Sequence, residues 1–88
     1  MKRVRVLVSG RVQGVWFRDA CRHQARAAGV GGGARNLVDG RVEVVLEGPP
    51  EAVDRVVEWC RRGPPRADVA GVAVTEETPV GERAFHVR

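Results

Sequence analysis

The sequence predicts an α+β sandwich in which an antiparallel sheet carries two helices on one face. Three observations point there. Valine-rich segments alternate with the period of strands, two stretches between them place apolar residues at helical spacing, and Asp39-Gly40 marks a hairpin between the middle strands.

Val4, Val6 and Val8 alternate with Arg3, Arg5 and Leu7, the pattern of a strand with one face in a core, and Ser9-Gly10 ends it. From Phe17 the residues Ala20, Cys21, Gln24, Ala25 and Ala28 recur at helical spacing, and Gly29 supplies the stop. After the cluster Gly31-Gly32-Gly33, Ala34 to Leu37 and Arg41 to Glu47 flank Val38-Asp39-Gly40 as the arms of a hairpin. Its core side is Val42, Val44 and Leu46; Glu43 and Glu47 share a wetter side with Val45. Gly48-Pro49-Pro50 opens a second helix with Glu51 and Asp54 near its start, where the helix dipole favours acid. Val53, Val56, Val57 and Cys60 form its buried stripe, with Trp59 packed beside it, and Gly63-Pro64-Pro65 lies past its end. Ala70, Val72 and Val74 alternate as a further strand, and Ala84 to Arg88 makes a short final one. Strand, helix, strand, strand, helix, strand is the βαββαβ order of ferredoxin-like domains, here with a short extra carboxy-terminal strand.

At 88 residues the chain has room for one domain, residues 1–88, because segments below about 50 residues rarely build a core of their own. The balance is basic, 15 Lys and Arg against 11 Asp and Glu, with Lys2 the only lysine, so anionic ligands are favoured. Single-stranded nucleic acid fits less well, since strand binding wants aromatic platforms and the chain has no Tyr. Cys21 and Cys60 lack the close spacing of metal ligands or a redox dithiol, which leaves two buried thiols or a bridge between the helices. The amino terminus carries no apolar signal run and no segment approaches membrane-spanning length; a cytoplasmic protein is expected.

Chemistry concentrates between the first strand and the first helix, in Gly10-Arg11-Val12-Gln13-Gly14-Val15-Trp16-Phe17-Arg18. A glycine-punctuated turn before a helix aims successive N–H groups into one concavity, where the helix dipole adds positive potential, and phosphate is the natural guest. Arg18 can add a planar fork that pairs two phosphate oxygens at once. Neither rival phosphate motif fits. The turn lacks the Lys and Ser or Thr of a nucleotide P-loop. Gly29-Val30-Gly31-Gly32-Gly33-Ala34 matches a dinucleotide fingerprint, but it follows a helix and precedes a strand, the reverse of what that mechanism needs.

The segment from Gly10 to Arg18, followed by Arg35-Asn36-Leu37-Val38-Asp39-Gly40-Arg41-Val42-Glu43, closely resembles the acylphosphatase family, and the likeness continues through Gly48 and Gly63-Pro64-Pro65 to Phe85. The resemblance implies a hydrolase of carboxyl–phosphate anhydrides that needs no metal and no cofactor. It implies Arg18 and Asn36 as catalytic residues, Arg18 binding phosphate and Asn36 placing the attacking water. The phosphate loop would comprise Arg11, Val12, Gln13, Gly14, Val15, Trp16, Phe17 and Arg18. The expected partners are a small acyl phosphate and the product inorganic phosphate, with no nucleic acid, no membrane and a monomeric protein. Where the family has a bulky aromatic and a β-branched residue before Arg35-Asn36, this chain has Gly33 and Ala34. Glycine weakens a strand, so Gly33→Trp with Ala34→Val is expected to raise stability.

The chemistry is consistent with those residues. A carboxylate leaves readily and the phosphoryl transition state is loose, so positioning and charge stabilisation suffice, without a covalent nucleophile or a strong base. Taken alone, Asn36 also reads as a polar residue before a turn. His23 and His86 are conceivable phosphohistidine nucleophiles, but neither has a carboxylate to orient it. Asp39 or Glu43 as a general base competes with the simpler role of turn acid. Two other functions share the pattern. One is a phosphate-sensing module such as the acylphosphatase-like unit of carbamoyl-transferring maturation proteins, against which the length weighs. The other is an RNA-binding sheet, against which the lack of aromatics on the first and third strands weighs.

Overall fold

The computed structural model describes residues 1–88, and its elements follow one another in the predicted order. They are β1 (Lys2–Arg11), α1 (Phe17–Ala28), β2 (Gly31–Asn36), β3 (Val42–Gly48), α2 (Pro50–Arg62), β4 (Asp68–Glu77) and β5 (Phe85–Val87). The strands form one sheet in the order β4-β1-β3-β2-β5. β1 pairs antiparallel with β3 and β4, and β2 antiparallel with β3. No helix is long and apolar enough to cross a membrane.

The sheet is mixed rather than wholly antiparallel, because β5 runs parallel to β2, with Gly32, Gly33 and Ala34 opposite Phe85, His86 and Val87. Chain direction explains it. β4 runs against β1 and ends where β1 and β2 begin, so a chain crossing from that end to the far edge must enter β5 alongside β2.

Three strands extend beyond the pattern of their side chains, β4 among them, which runs from Asp68 to Glu77 around Ala70, Val72 and Val74. β1 continues through Gly10 to Arg11 by a register shift between Ser9 and Gly10, and Gly10, at φ +114°, lets the backbone pass within contact of Asp68 and Ala70. β2 starts at Gly31, so the three glycines are strand and not connector. Close approach is the reason. A Cβ on Gly31 would lie 2.6 Å from the Glu82 carbonyl oxygen, and one on Gly33 would lie 2.9 Å from that of His86. α1 ends as predicted, with Gly29 left-handed and its N–H directed at the Ala25 and Arg26 carbonyls.

Val4, Val6 and Val8 of β1 and Val42, Val44 and Leu46 of β3 turn their side chains to the helices and are fully buried there with Phe17, Cys21, Ala25, Val53 and Cys60. Each valine so buried contributes about 1.5–2 kcal/mol of hydrophobic stabilisation. Phe17 of α1 meets Trp59 of α2 at a centroid distance of 5.2 Å and an angle of 53°, which locks the helices together beside the loop. Cys21 and Cys60 are both buried free thiols. The neighbouring Cys60 thiol, together with burial, pushes the Cys21 thiol well above its ordinary value.

The other face of the sheet is not the wet surface the alternation predicts. Glu47 is 1% exposed, Val45 6% and Arg3 9%. The chain between β4 and β5 covers them, donating the main-chain N–H groups of Val80 and Gly81 to the Glu47 carboxylate at 3.0 and 2.6 Å. Arg3 lies 3.0 Å from Glu47 and 3.1 Å from Glu77, and Glu77 also takes Arg5. The Val80 N–H, against the opposing effect of burial and with help from Arg3 and the Gly81 N–H, holds the Glu47 carboxyl below its usual value of 4.5. Arg5, again against burial and with Arg3, does the same for Glu77. A carboxyl depressed in the folded state adds stability that is complete above its unfolded value and is lost as pH falls through the lower folded value. The thermal midpoint is therefore expected to drop as pH falls below about 4.5. Glu47→Gln should flatten that acid limb in melts run across pH; an unaltered limb would rule out Glu47 as a contributor.

Candidate active site

The loop from Val12 to Trp16 leaves β1 at its bulged end and turns into α1. Gly14 has φ +73° and Trp16 φ +67°, while Val15 between them and Phe17 after them keep negative φ. Alternation of left- and right-handed residues points successive N–H groups to one side and makes an anion-binding concavity. The main-chain N–H groups of Gly14 to Arg18 donate to no main-chain acceptor. The first N–H groups of a helix have no partner within it, and here they gather at the positive end of α1.

Val12, Val15 and Phe17 are 1%, 3% and 2% exposed, so their side chains pin the loop to the core and leave its backbone to face outward. Gln13 holds it from the other side, its Nε2 donating to the carbonyl oxygens of Leu37 at 2.7 Å and Arg41 at 2.9 Å. These two residues also pair with each other, Leu37 N–H to Arg41 oxygen at 2.8 Å. Gln13 thus ties the loop to the base of the hairpin that carries Asn36.

Arg18 and Asn36 meet across a cavity of about 290 Å³, which Val12, Gly14, Trp16 and Phe17 also line. Arg18, in the first turn of α1, donates from Nη1 to the Arg88 main-chain oxygen at 2.7 Å. Arg88 is fixed in turn by its own N–H on the Ala34 oxygen at 2.8 Å. Asn36 ends β2, paired with Val42 of β3, and is exposed. Of the loop residues named from the sequence, Arg11, Gln13 and Val15 do not line the cavity. Arg11 is an exposed strand residue opposite Asp68. A cavity volume just under the range of drug-sized pockets admits a small phosphorylated acid and is tight for a nucleotide.

Two cavity residues, Asp19 and Val87, escaped sequence reasoning. Asp19 sits one position past Arg18 and is 2.9 Å from Arg22. Val87 arrives with β5, whose pairing no local pattern encodes. The same holds for the Arg88 main-chain oxygen that braces Arg18.

The acids considered as a base are engaged elsewhere. Asp39 accepts from the Arg41 main-chain N–H at 3.1 Å and from its Nε at 2.8 Å, and that N–H, with the guanidinium, holds its carboxyl below the ordinary range against burial. Glu43 lies 3.1 Å from Arg5 and 2.8 Å from Arg35, and burial, which would raise its carboxyl, is outweighed by both. Neither lines the cavity, and the exposed His23 and His86 do not either.

Comparison with known proteins gives the family. A family model described as Acylphosphatase matches residues 4–87. The chain is similar to an acylphosphatase of Rubrobacter xylanophilus, 60% identical over 88 residues covering 99% of this chain and 80% of that protein. Among solved structures, an acylphosphatase from Bacillus subtilis superposes with a TM-score of 0.96 at 37% identity, covering 100% of this chain and 99% of that one. One from Coxiella burnetii does so with a TM-score of 0.94 at 37% identity, covering 99% of this chain and 92% of that one.

Proposed function

Because the chain belongs to the acylphosphatase family and hydrolyses acyl phosphates, we propose that the loop amides and Arg18 hold the phosphoryl group while Asn36 places the water. The observation that carries this reading is the turn of unpartnered N–H groups from Gly14 to Arg18 opening on the cavity that Arg18 and Asn36 share.

In this reading the phosphoryl oxygens sit in the concavity, with the Arg18 fork on two of them. Asn36, whose side chain can accept from one water proton and donate to a ligand oxygen, aligns the water opposite the leaving carboxylate. The water oxygen bonds to phosphorus as the bridging P–O bond breaks, the electron pair leaves with the carboxylate, and the water proton passes to a phosphate oxygen. Fixed dipoles aimed at the equatorial oxygens stabilise the transition state without reorganising. The same reading takes the protein as a single-domain cytoplasmic monomer without nucleic-acid or membrane partners.

Turnover of acetyl phosphate by wild type and Asn36→Ala, run in parallel, tests the division of roles. Asn36→Ala should lose about 10²-fold in kcat with little change in the inhibition constant of inorganic phosphate, and wild-type turnover should persist in chelator. Wild-type kcat in Asn36→Ala would remove Asn36 from the mechanism. Absence of phosphate inhibition would remove the cradle.

A further inference from the structure

Trp16 is anomalous twice over. It is the one non-glycine residue with positive φ, at φ 67° and ψ 22°, a conformation that a bulky L-residue rarely adopts. It is also the one exposed aromatic side chain, 70% exposed where Phe17, Phe85 and Trp59 are 2%, 1% and 9%. The left-handed turn belongs to the anion-binding concavity, which calls for no aromatic side chain. Trp16 is the N-cap of α1, where a small oxygen-bearing side chain would serve, and it makes no capping bond. Backbone outliers that packing does not require are retained at sites of function.

The cavity explains why the residue is an exposed indole. Trp16 lines it together with Val87 of β5, which is half-buried, and with Val12 and Phe17 behind them, so half of the lining is apolar although phosphate needs none of it. We propose that the Trp16 indole and the Val87 side chain form the acyl subsite, and that it selects acyl phosphates whose acyl group is flat and apolar, aromatic above all, over short ones. This rests on the reading in which the loop and Arg18 hold the phosphoryl group. Trp16 lies among the amides that would bind phosphate, so an acyl group one bridging oxygen away from phosphorus falls within reach of its ring. Stacking there removes apolar surface of both partners from water, and contact remote from phosphorus can be used to orient the reacting bond.

The test compares kcat/KM for benzoyl phosphate and acetyl phosphate, expressed as a ratio so that changes common to both cancel. Trp16→Asn keeps a residue that tolerates the left-handed conformation and removes the ring. It should lower the benzoyl-to-acetyl ratio about tenfold, and Trp16→Phe should restore most of it. Val87→Ala, which leaves the loop sequence intact, should lower the same ratio severalfold. A merely structural role of Trp16 would depress both substrates in proportion, and an unmoved ratio in Trp16→Asn, or no recovery in Trp16→Phe, overturns the proposal. Failure of the underlying reading shows differently: inorganic phosphate would not compete with either substrate in the wild type.

Discussion

Arg18→Ala is expected to lower kcat/KM for acetyl phosphate by about 10³-fold or more while moving the thermal midpoint by no more than about 4 °C. The large effect follows from what the guanidinium has to do. In a loose phosphoryl transition state the charge lies on oxygens that only fixed donors can reach, and Arg18 supplies the one full positive charge on the cavity wall. The small effect follows from its surroundings. Arg18 is half-buried, and its hydrogen bond to the Arg88 oxygen is exposed and orients the side chain without filling the core. Arg18→Lys separates charge from shape. A lysine keeps the charge but not the planar pair of donors, so a loss of about 10²-fold is expected. Steady-state kinetics decide the matter, and wild-type kcat/KM in Arg18→Lys would show that the fork is not used.

Gly32→Ala is expected to cost about 3 kcal/mol or more, a fall in thermal midpoint of about 12–24 °C for a domain of this size. Gly32 has φ +127°, and a Cβ there would lie 1.9 Å from the Val45 carbonyl oxygen, so the added methyl meets the backbone of β3 with nowhere to go. A wild-type melting curve would show that β2 can slide off β3 at no cost. The neighbouring glycine reverses the expectation drawn from the sequence. Gly33→Trp with Ala34→Val should lower stability, because a Cβ at 33 lies 2.9 Å from the His86 oxygen and 3.3 Å from the Arg88 guanidinium, and Ala34 is 1% exposed. β2 is thin so that β5 can lie against it. β5 in turn delivers Val87 to the cavity and Arg88 to Arg18.

Reading side-chain alternation on β3 put Val42, Val44 and Leu46 in the core correctly, and it misjudged Glu47 on the opposite side. The periodicity is a statement about which residues share a face. It carries nothing about whether a later stretch of chain will cover that face, and here the segment around Val80 and Gly81 does so with two N–H groups and the nearby Arg3. A buried carboxylate is tolerable only with such partners, and partners distant in sequence are invisible to local pattern. The glycine tract failed for a similar reason: glycine marks loops and close approaches alike, and only the neighbour tells which.

By itself the sequence determined both helices, the hairpin, the glycine-punctuated turn between β1 and α1, and the family. These rest on spacing within a few residues, on helix-ending glycine and on Asp39-Gly40, which act locally whatever surrounds them. Only the tertiary structure decided the parallel pairing of β5, the burial of Glu47, the grip of the Arg88 oxygen on Arg18 and the left-handed turn of Trp16 into the cavity. Each of these is set by where the chain goes after β4 or by how the loop must bend to join a bulged strand to α1. Such choices are made by contacts between residues far apart in sequence, once the core has brought them together.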